Sequence, residues 1–184
     1  MTKKFNLYLG KAGHFHAMSE FLCRGWNVAI PEVDIGDDIF VVKDETGEFW
    51  RVQVKTANGI SRKDGWSAQF SISAAQLIQR FQPELIYVFL VRNQEGWSKP
   101  LVISRQKLYE LFKFTKIGAA QNDKLVFYFS FQNDKVICSE IDLTSHLNNF
   151  SDFPLIVHLA IFWVKIGNNF PRKNSWSTIP ISPH

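Results

Sequence analysis

The chain has 184 residues, 46 % of them hydrophobic with 17 phenylalanines, and only 21 % charged, which excludes a disordered polyampholyte and fits one folded domain. Its net charge of 21 − 17 = +4 and isoelectric point near 9.1 permit a polyanionic partner without requiring one. Cys23 and Cys138 stand far apart and form no C-x-x-C unit, so neither a zinc module nor a disulfide framework is indicated, and a reducing cytoplasm is the expected setting. The start MTKKFNLYLGKAG lacks an apolar run of signal length, and FPLIVHLAIFWVKIG is short for a span and interrupted by His158. The reading is therefore no export signal and no membrane anchor.

In chain order, GKAGHFHAMSEFLCRGW predicts a helix from about Lys11 to Arg24, with Phe15, Met18 and Leu22 as its apolar stripe and Gly25 as its stop. Glu20 lies off that stripe, aligned with His16 and Arg24. WNVAI reads as a short strand ended by Pro31, DIFVVKD as a second, and Thr46-Gly47 turns the chain into EFWRVQVKTANG. In this third strand Trp50, Val52 and Val54 share one face, while Arg51, Gln53 and Lys55 share the other. Asn58-Gly59 is expected to end it.

Further on, WSAQFSIS predicts a strand, SAAQLIQRF a helix starting near Ser73, and ELIYVFLVR a strand buried on both faces. SRQKLYELFKF predicts a helix capped by Ser104, and KLVFYFSF with KVICSEIDL a hairpin through Gln132-Asn133-Asp134. DLTSHLNNF suggests a short helix begun by Thr144 or Ser145. FPLIVHLAIFWVKI fits a helix slightly better than a strand, and from Gly167 onward Asn, Pro and Ser suggest an extended tail. The expected architecture is a single α/β domain over 1–166, a mixed sheet flanked by helices, followed by a tail over 167–184.

Chemistry concentrates in the N-terminal third. Asp34, Asp37 and Asp38 precede the second strand, and Asp38 lies 53 − 38 = 15 residues before Gln53, a spacing that suits neighbouring strands joined by a tight turn. A carboxylate on one strand and a side-chain carbonyl on the next can hold a divalent cation, since Mg²⁺ takes oxygen ligands, and Lys55 would reach the same spot. Bland readings stand beside these: Glu20 pairing with Arg24 four residues on, the aspartates as turn residues around Gly36, and Gln53 and Lys55 as a solvated face. His14 and His16 diverge by roughly 200° on a helix, which argues against a zinc pair, although His16 lies one turn before Glu20 and could contact phosphate. In KTANGISRKDGW, Arg62, Lys63 and Trp66 could grip a nucleic-acid backbone, or form an ordinary exposed loop.

Together Glu20 in AMSEFL, Asp38 in DDIFVV, and Gln53 with Lys55 in VQVKT resemble the PD-(D/E)XK nuclease superfamily, which includes restriction endonucleases, junction resolvases and some homing endonucleases. The resemblance covers roughly Gly10 to Phe89. It implies a restriction endonuclease-like fold and a Mg²⁺- or Mn²⁺-dependent endonuclease acting on DNA. It further implies Asp38, Gln53, the Val54 carbonyl and Glu20 around the metal, Lys55 orienting the attacking water, and Arg51 at the edge of the site. Gln53 stands where most of the family has an acid, and the usual Pro before the Asp is absent. Asp34 is thus a second candidate ligand, with Asp37 expected on the opposite strand face. A catalytically silent DNA-binding or protein-interaction module is the alternative, and cutting both strands of a duplex would suit a symmetric homodimer.

Overall fold

The structure is a computed structural model that describes residues 3–33, 36–132 and 134–153. In chain order it runs α1 (Lys3–Cys23), β1 (Asn27–Ala29), β2 (Ile39–Val42), β3 (Phe49–Asn58), β4 (Ile60–Arg62), β5 (Gly65–Ser73), α2 (Ala74–Ile78) and β6 (Leu85–Arg92). It continues through β7 (Leu101–Ser104), α3 (Arg105–Thr115), β8 (Ala119–Gln121), β9 (Lys124–Gln132), β10 (Lys135–Cys138), β11 (Ile141–Asp142) and a 3-10 turn at Thr144–His146. The expected helix over 153–166 and the tail over 167–184 lie outside the described residues, apart from Phe153.

The fold is mixed α/β, as expected, but its strands divide between two sheets. One has the order β1-β2-β3-β6-β7, the other β11-β10-β9-β5-β4 with β8 added to β9. β3 and β6 run parallel, Arg51 beside Leu85 through Asn58 beside Arg92, and the other ladders are antiparallel. The parallel pair explains the unbroken apolar run of β6, because both of its faces are covered. Leu85, Tyr87, Phe89 and Val91 face the second sheet and join Phe70, Phe127 and Phe129 in the main core. The rings of Phe70 and Phe89, and of Phe89 and Phe129, meet edge to face at centroid separations of 5.0 Å. Ser73 and Ser104 cap α2 and α3, accepting from the N–H groups of Gln76 and Lys107.

The first helix departs from expectation in length and in face. It begins at Lys3, not Lys11, and its inner side is Gly13, Ala17 and Phe21, while Phe15 and Leu22 are exposed. The reason is proximity: α1 lies so close on β3 that a methyl group at Gly13 would overlap the Thr56 hydroxyl. Only small residues fit there, and larger ones return at Phe21, which packs against Trp26, Phe150 and Phe153. β3 ends at Asn58, as Asn58-Gly59 leads one to expect, and beyond Gly59 the chain passes into β4 of the second sheet. Among the described residues no helix is long and apolar enough to cross a membrane.

Pressing α1 onto β3 makes Gly13 sensitive to a single added carbon. Gly13→Ala should lower stability by about 1–3 kcal/mol in urea titrations, and adding Thr56→Ala should recover part of the loss. An unchanged midpoint for Gly13→Ala would mean that the helix does not sit this close.

Candidate functional site

Among the described residues β2 pairs with β3 only from Phe49 to Val52, so from Gln53 onward the outer edge of β3 has no described neighbouring strand. Asp38 stands where the ladder ends. Its N–H donates to the Val52 carbonyl at 2.9 Å, and its carboxylate accepts the Val54 N–H at 2.8 Å, so a side chain takes over the bonding of the departed strand. The N–H and C=O of one strand residue point to the same edge, which brings the Val54 carbonyl to this edge beside Asp38. From α1, Nε2 of His14 approaches the same carboxylate at 3.5 Å.

The β2–β3 register ends with Ile39 beside Val52, and Asp38 and Gln53 are the next residues beyond that end. Gln53 is 7 % exposed, and its Oε1 is buried without a hydrogen-bond partner among the described residues. Leaving an acceptor so placed costs about 1–3 kcal/mol, and it needs an explanation. Lys55, half-buried, follows on the same face. Asp38 thus meets the backbone of Val54, the residue between Gln53 and Lys55.

The loop carrying Asp38 is held on both sides. Asp37, 2 % exposed, accepts from Nε and Nη2 of Arg51 at 3.0 and 2.7 Å, and the Arg51 guanidinium lies 4.5 Å from the Phe81 ring centre. Asp37 was expected on a strand face; instead it is a buried anion in the loop, and the guanidinium assigned to the edge of the site is the group that neutralises it. One residue earlier, the Gly36 carbonyl accepts from Nε2 of Gln76 at 2.9 Å, and Oε1 of Gln76 accepts the Tyr87 hydroxyl at 3.1 Å. Burial pushes the Tyr87 phenol well above its usual range, so it remains a neutral donor.

Other expected site residues are not brought to Asp38. Glu20 bonds Arg24 at 2.6 Å, and Arg24 also donates to Asn148 and stacks on Phe150. Six residues beyond His14, Glu20 is about 9 Å further along the helix and on another side of it. His16 stacks on Trp97 at 5.2 Å, and burial holds its imidazole below the usual value against the opposing charge of Glu20. Arg62 and Lys63 are exposed on the β4–β5 arm, where Nε of Arg62 donates to Ser67. Trp66 and Lys63 help line a cleft of about 550 Å³ that also includes Lys99 and Phe131. Asp34 lies outside the described residues.

Among the described residues no three His, Cys, Asp or Glu side chains gather. A cation at the β3 edge would therefore meet one carboxylate, one amide oxygen and one backbone carbonyl, a hard oxygen set that suits Mg²⁺ or Mn²⁺ retaining water. The orphaned Gln53 oxygen fits such a group. His14 was passed over in the sequence because its value lies in reaching Asp38 across 24 residues, which no local spacing reveals.

No family model matches this sequence, and no curated protein does. Among solved structures, a bacterial homing endonuclease, I-Ssp6803I, is similar at a TM-score of 0.49 and 13 % identity, over 91 % of this chain and 98 % of that one.

The buried Asp37–Arg51 pair gives a direct test of the loop. Arg51→Met leaves Asp37 an uncompensated buried anion and should cost about 3–5 kcal/mol by chemical denaturation, whereas Asp37→Asn with Arg51→Met should recover much of it. Equal losses in the single and double variants would remove Arg51 from this role.

Proposed function

We propose that the chain is a metal-dependent endonuclease that hydrolyses phosphodiester bonds of DNA at the free edge of β3. The observation that carries this reading is the Gln53 oxygen, buried and without a hydrogen-bond partner among the described residues, next in sequence to the Val54 backbone that Asp38 engages. Asp38, Gln53 and Val54 would hold Mg²⁺ or Mn²⁺. Bound there, the cation supplies a Lewis acid for a non-bridging phosphate oxygen and a lowered pKa for an attacking water.

The chain's own groups do the rest. Asp38 is held by the Val54 N–H and approached by His14, which fixes the orientation of its carboxylate. Lys55 sits two residues beyond Gln53 on the same face, placed to donate to the attacking water and to offset charge developing on the phosphate. Water adds to phosphorus as the ester P–O bond breaks, and the departing oxygen takes up a proton. Arg62, Lys63 and Trp66 on the β4–β5 arm are assigned to the nucleic-acid backbone, contacts that fix register and carry no base information. Glu20, engaged by Arg24, is left out of the metal set. Two strands to be cut favour a homodimer with two such sites.

A second reading is favoured by one observation. An amide at position 53 binds a cation less strongly than a carboxylate, which suits a catalytically silent DNA-binding module of the same fold.

Cleavage of supercoiled, branched and single-stranded DNA with Mg²⁺ or Mn²⁺, against EDTA, separates the two. The nuclease reading expects metal-dependent cutting that Lys55→Ala abolishes while the melting temperature stays within about 3 °C of wild type. Cutting by a pure Lys55→Ala protein at the wild-type rate would remove Lys55 from the chemistry, and DNA binding in EDTA with no cutting would favour the silent module. Gln53→Leu should separate function from folding: it abolishes cleavage yet stabilises the protein by about 1–2 kcal/mol, because it removes an unpaired buried polar group. A destabilised Gln53→Leu protein would show that the amide has a structural partner after all.

A further inference from the structure

α1 is apolar on two opposite sides. Across the helix from Gly13, Ala17 and Phe21 stand Phe5, Tyr8, Ala12, Phe15, Ser19 and Leu22, spaced alternately three and four residues apart. That is the 3.5-residue repeat of a helix–helix seam. Phe5, Tyr8, Phe15 and Leu22 are 47, 65, 56 and 53 % exposed, and Ala12 and Ser19 are exposed between them. Lys4 and Lys11 lie 6.0 and 5.4 Å from the ring centres of Tyr8 and Phe15, which shades those rings without covering them. A surface helix ordinarily turns a polar face outward, and a contiguous apolar stripe marks a site of association.

We propose that this stripe is the contact between two copies of the chain, α1 against α1 in antiparallel register about a two-fold axis. The occupant is chosen by the order of sizes along the seam. With the axis midway between positions 12 and 15, Phe15 falls opposite the partner's Ala12, Tyr8 opposite the partner's Ser19, and Phe5 opposite the partner's Leu22. Every small residue receives a large one, and two large residues, Phe5 and Leu22, meet only at the ends of the seam. A parallel pair would set Phe15 on Phe15 and Ala12 on Ala12, crowding one layer and leaving the next hollow.

The area also suits a dimer. Half-exposed side chains of this size leave on the order of 100 Å² each in water, so Phe5, Tyr8, Phe15 and Leu22 offer roughly 400 Å² per copy. Two copies reach about 800 Å² before Ala12, Ser19 and the polar rim are counted, which brings the contact towards the roughly 1,000 Å² lower limit of a specific interface. The contact is isologous and closes on itself, as a two-fold dimer requires. It rests on the two-subunit part of the proposed function and not on the cleavage chemistry, and it relates two Asp38 sites by one axis.

Sedimentation of the full chain at high micromolar concentration, without metal or DNA, tests it independently of any nuclease activity. The expected mass is twice 21.3 kDa, falling to the monomer in a Tyr8→Lys, Phe15→Lys protein whose circular dichroism and melting are unchanged. A monomeric wild type overturns the proposal, as does a dimer that survives both lysines. A wild-type monomer destabilised by the lysines would place another part of the same chain on the stripe. Register is read by cross-linking with a short bifunctional maleimide. Ala12→Cys in a Cys23→Ser background lies near the axis and should couple, whereas native Cys23 residues would be about 28 Å apart and should not. Efficient coupling through Cys23 instead would overturn the antiparallel arrangement.

Discussion

The bond from the Val54 N–H to the Asp38 carboxylate is the constraint on which the site depends. A strand edge abandoned by its neighbour exposes unpaired backbone groups, and sheets usually cover, charge or twist such edges. Here the edge is closed by one side chain. Using a carboxylate for that task has a consequence that a hydroxyl or amide would not have: it sets an acidic group beside the Val54 carbonyl. The same feature that finishes the sheet is the one that the proposed cation site would use. Arg51 and Gln76 serve this arrangement from outside, since a loop free to shift would withdraw Asp38 from Val54.

Much of the fold was legible because its signals are local. The serine caps, the apolar run of β6 and the alternation of Gln53 and Lys55 against Val52 and Val54 depend on residues within a few positions of one another. The orientation of α1 was not. Gly13 and Ala17 carry almost no hydropathy signal, so Phe15, Met18 and Leu22 dominate any count of apolar positions, although Phe15 and Leu22 face outward. What selects the buried face is the closeness of β3, and that constraint comes from Thr56, 43 residues away. Division into two sheets was hidden for a similar reason. Gly65, whose added methyl group would overlap the Phe131 carbonyl, lets β5 run against β9, and this pairing spans more than 50 residues.

The candidate site divides in the same way. Asp38, Gln53 and Lys55 follow from strand spacing, and the structure joins Asp38 to the backbone of Val54 between the other two. Asp37 and Arg51 were visible as residue types, but which of the adjacent aspartates faces the arginine depends on how the loop turns ahead of β2. Glu20 was readable both as a site residue and as the helix partner of Arg24, four positions on. The ion pair is what the structure contains, and it is reinforced by Asn148 and Phe150 from the far end of the described chain.

Position 53 shows how folding and function pull apart. Val52, Val54 and the odd-numbered residues of β6 are all satisfied by burial, and a leucine at 53 would extend that pattern beside Tyr87. A buried amide oxygen with no partner is a local violation in an otherwise consistent strand, and such violations concentrate where a site must wait for its ligand. The helix over this strand shows the complementary case. Its inner side gave up large residues to approach β3, while its outer side kept them although they gain nothing from this chain's described core. Both departures have a physical explanation if the folded chain is one part of a larger assembly: a cation and a phosphate at the edge of β3, and a second α1 on the far side of the helix.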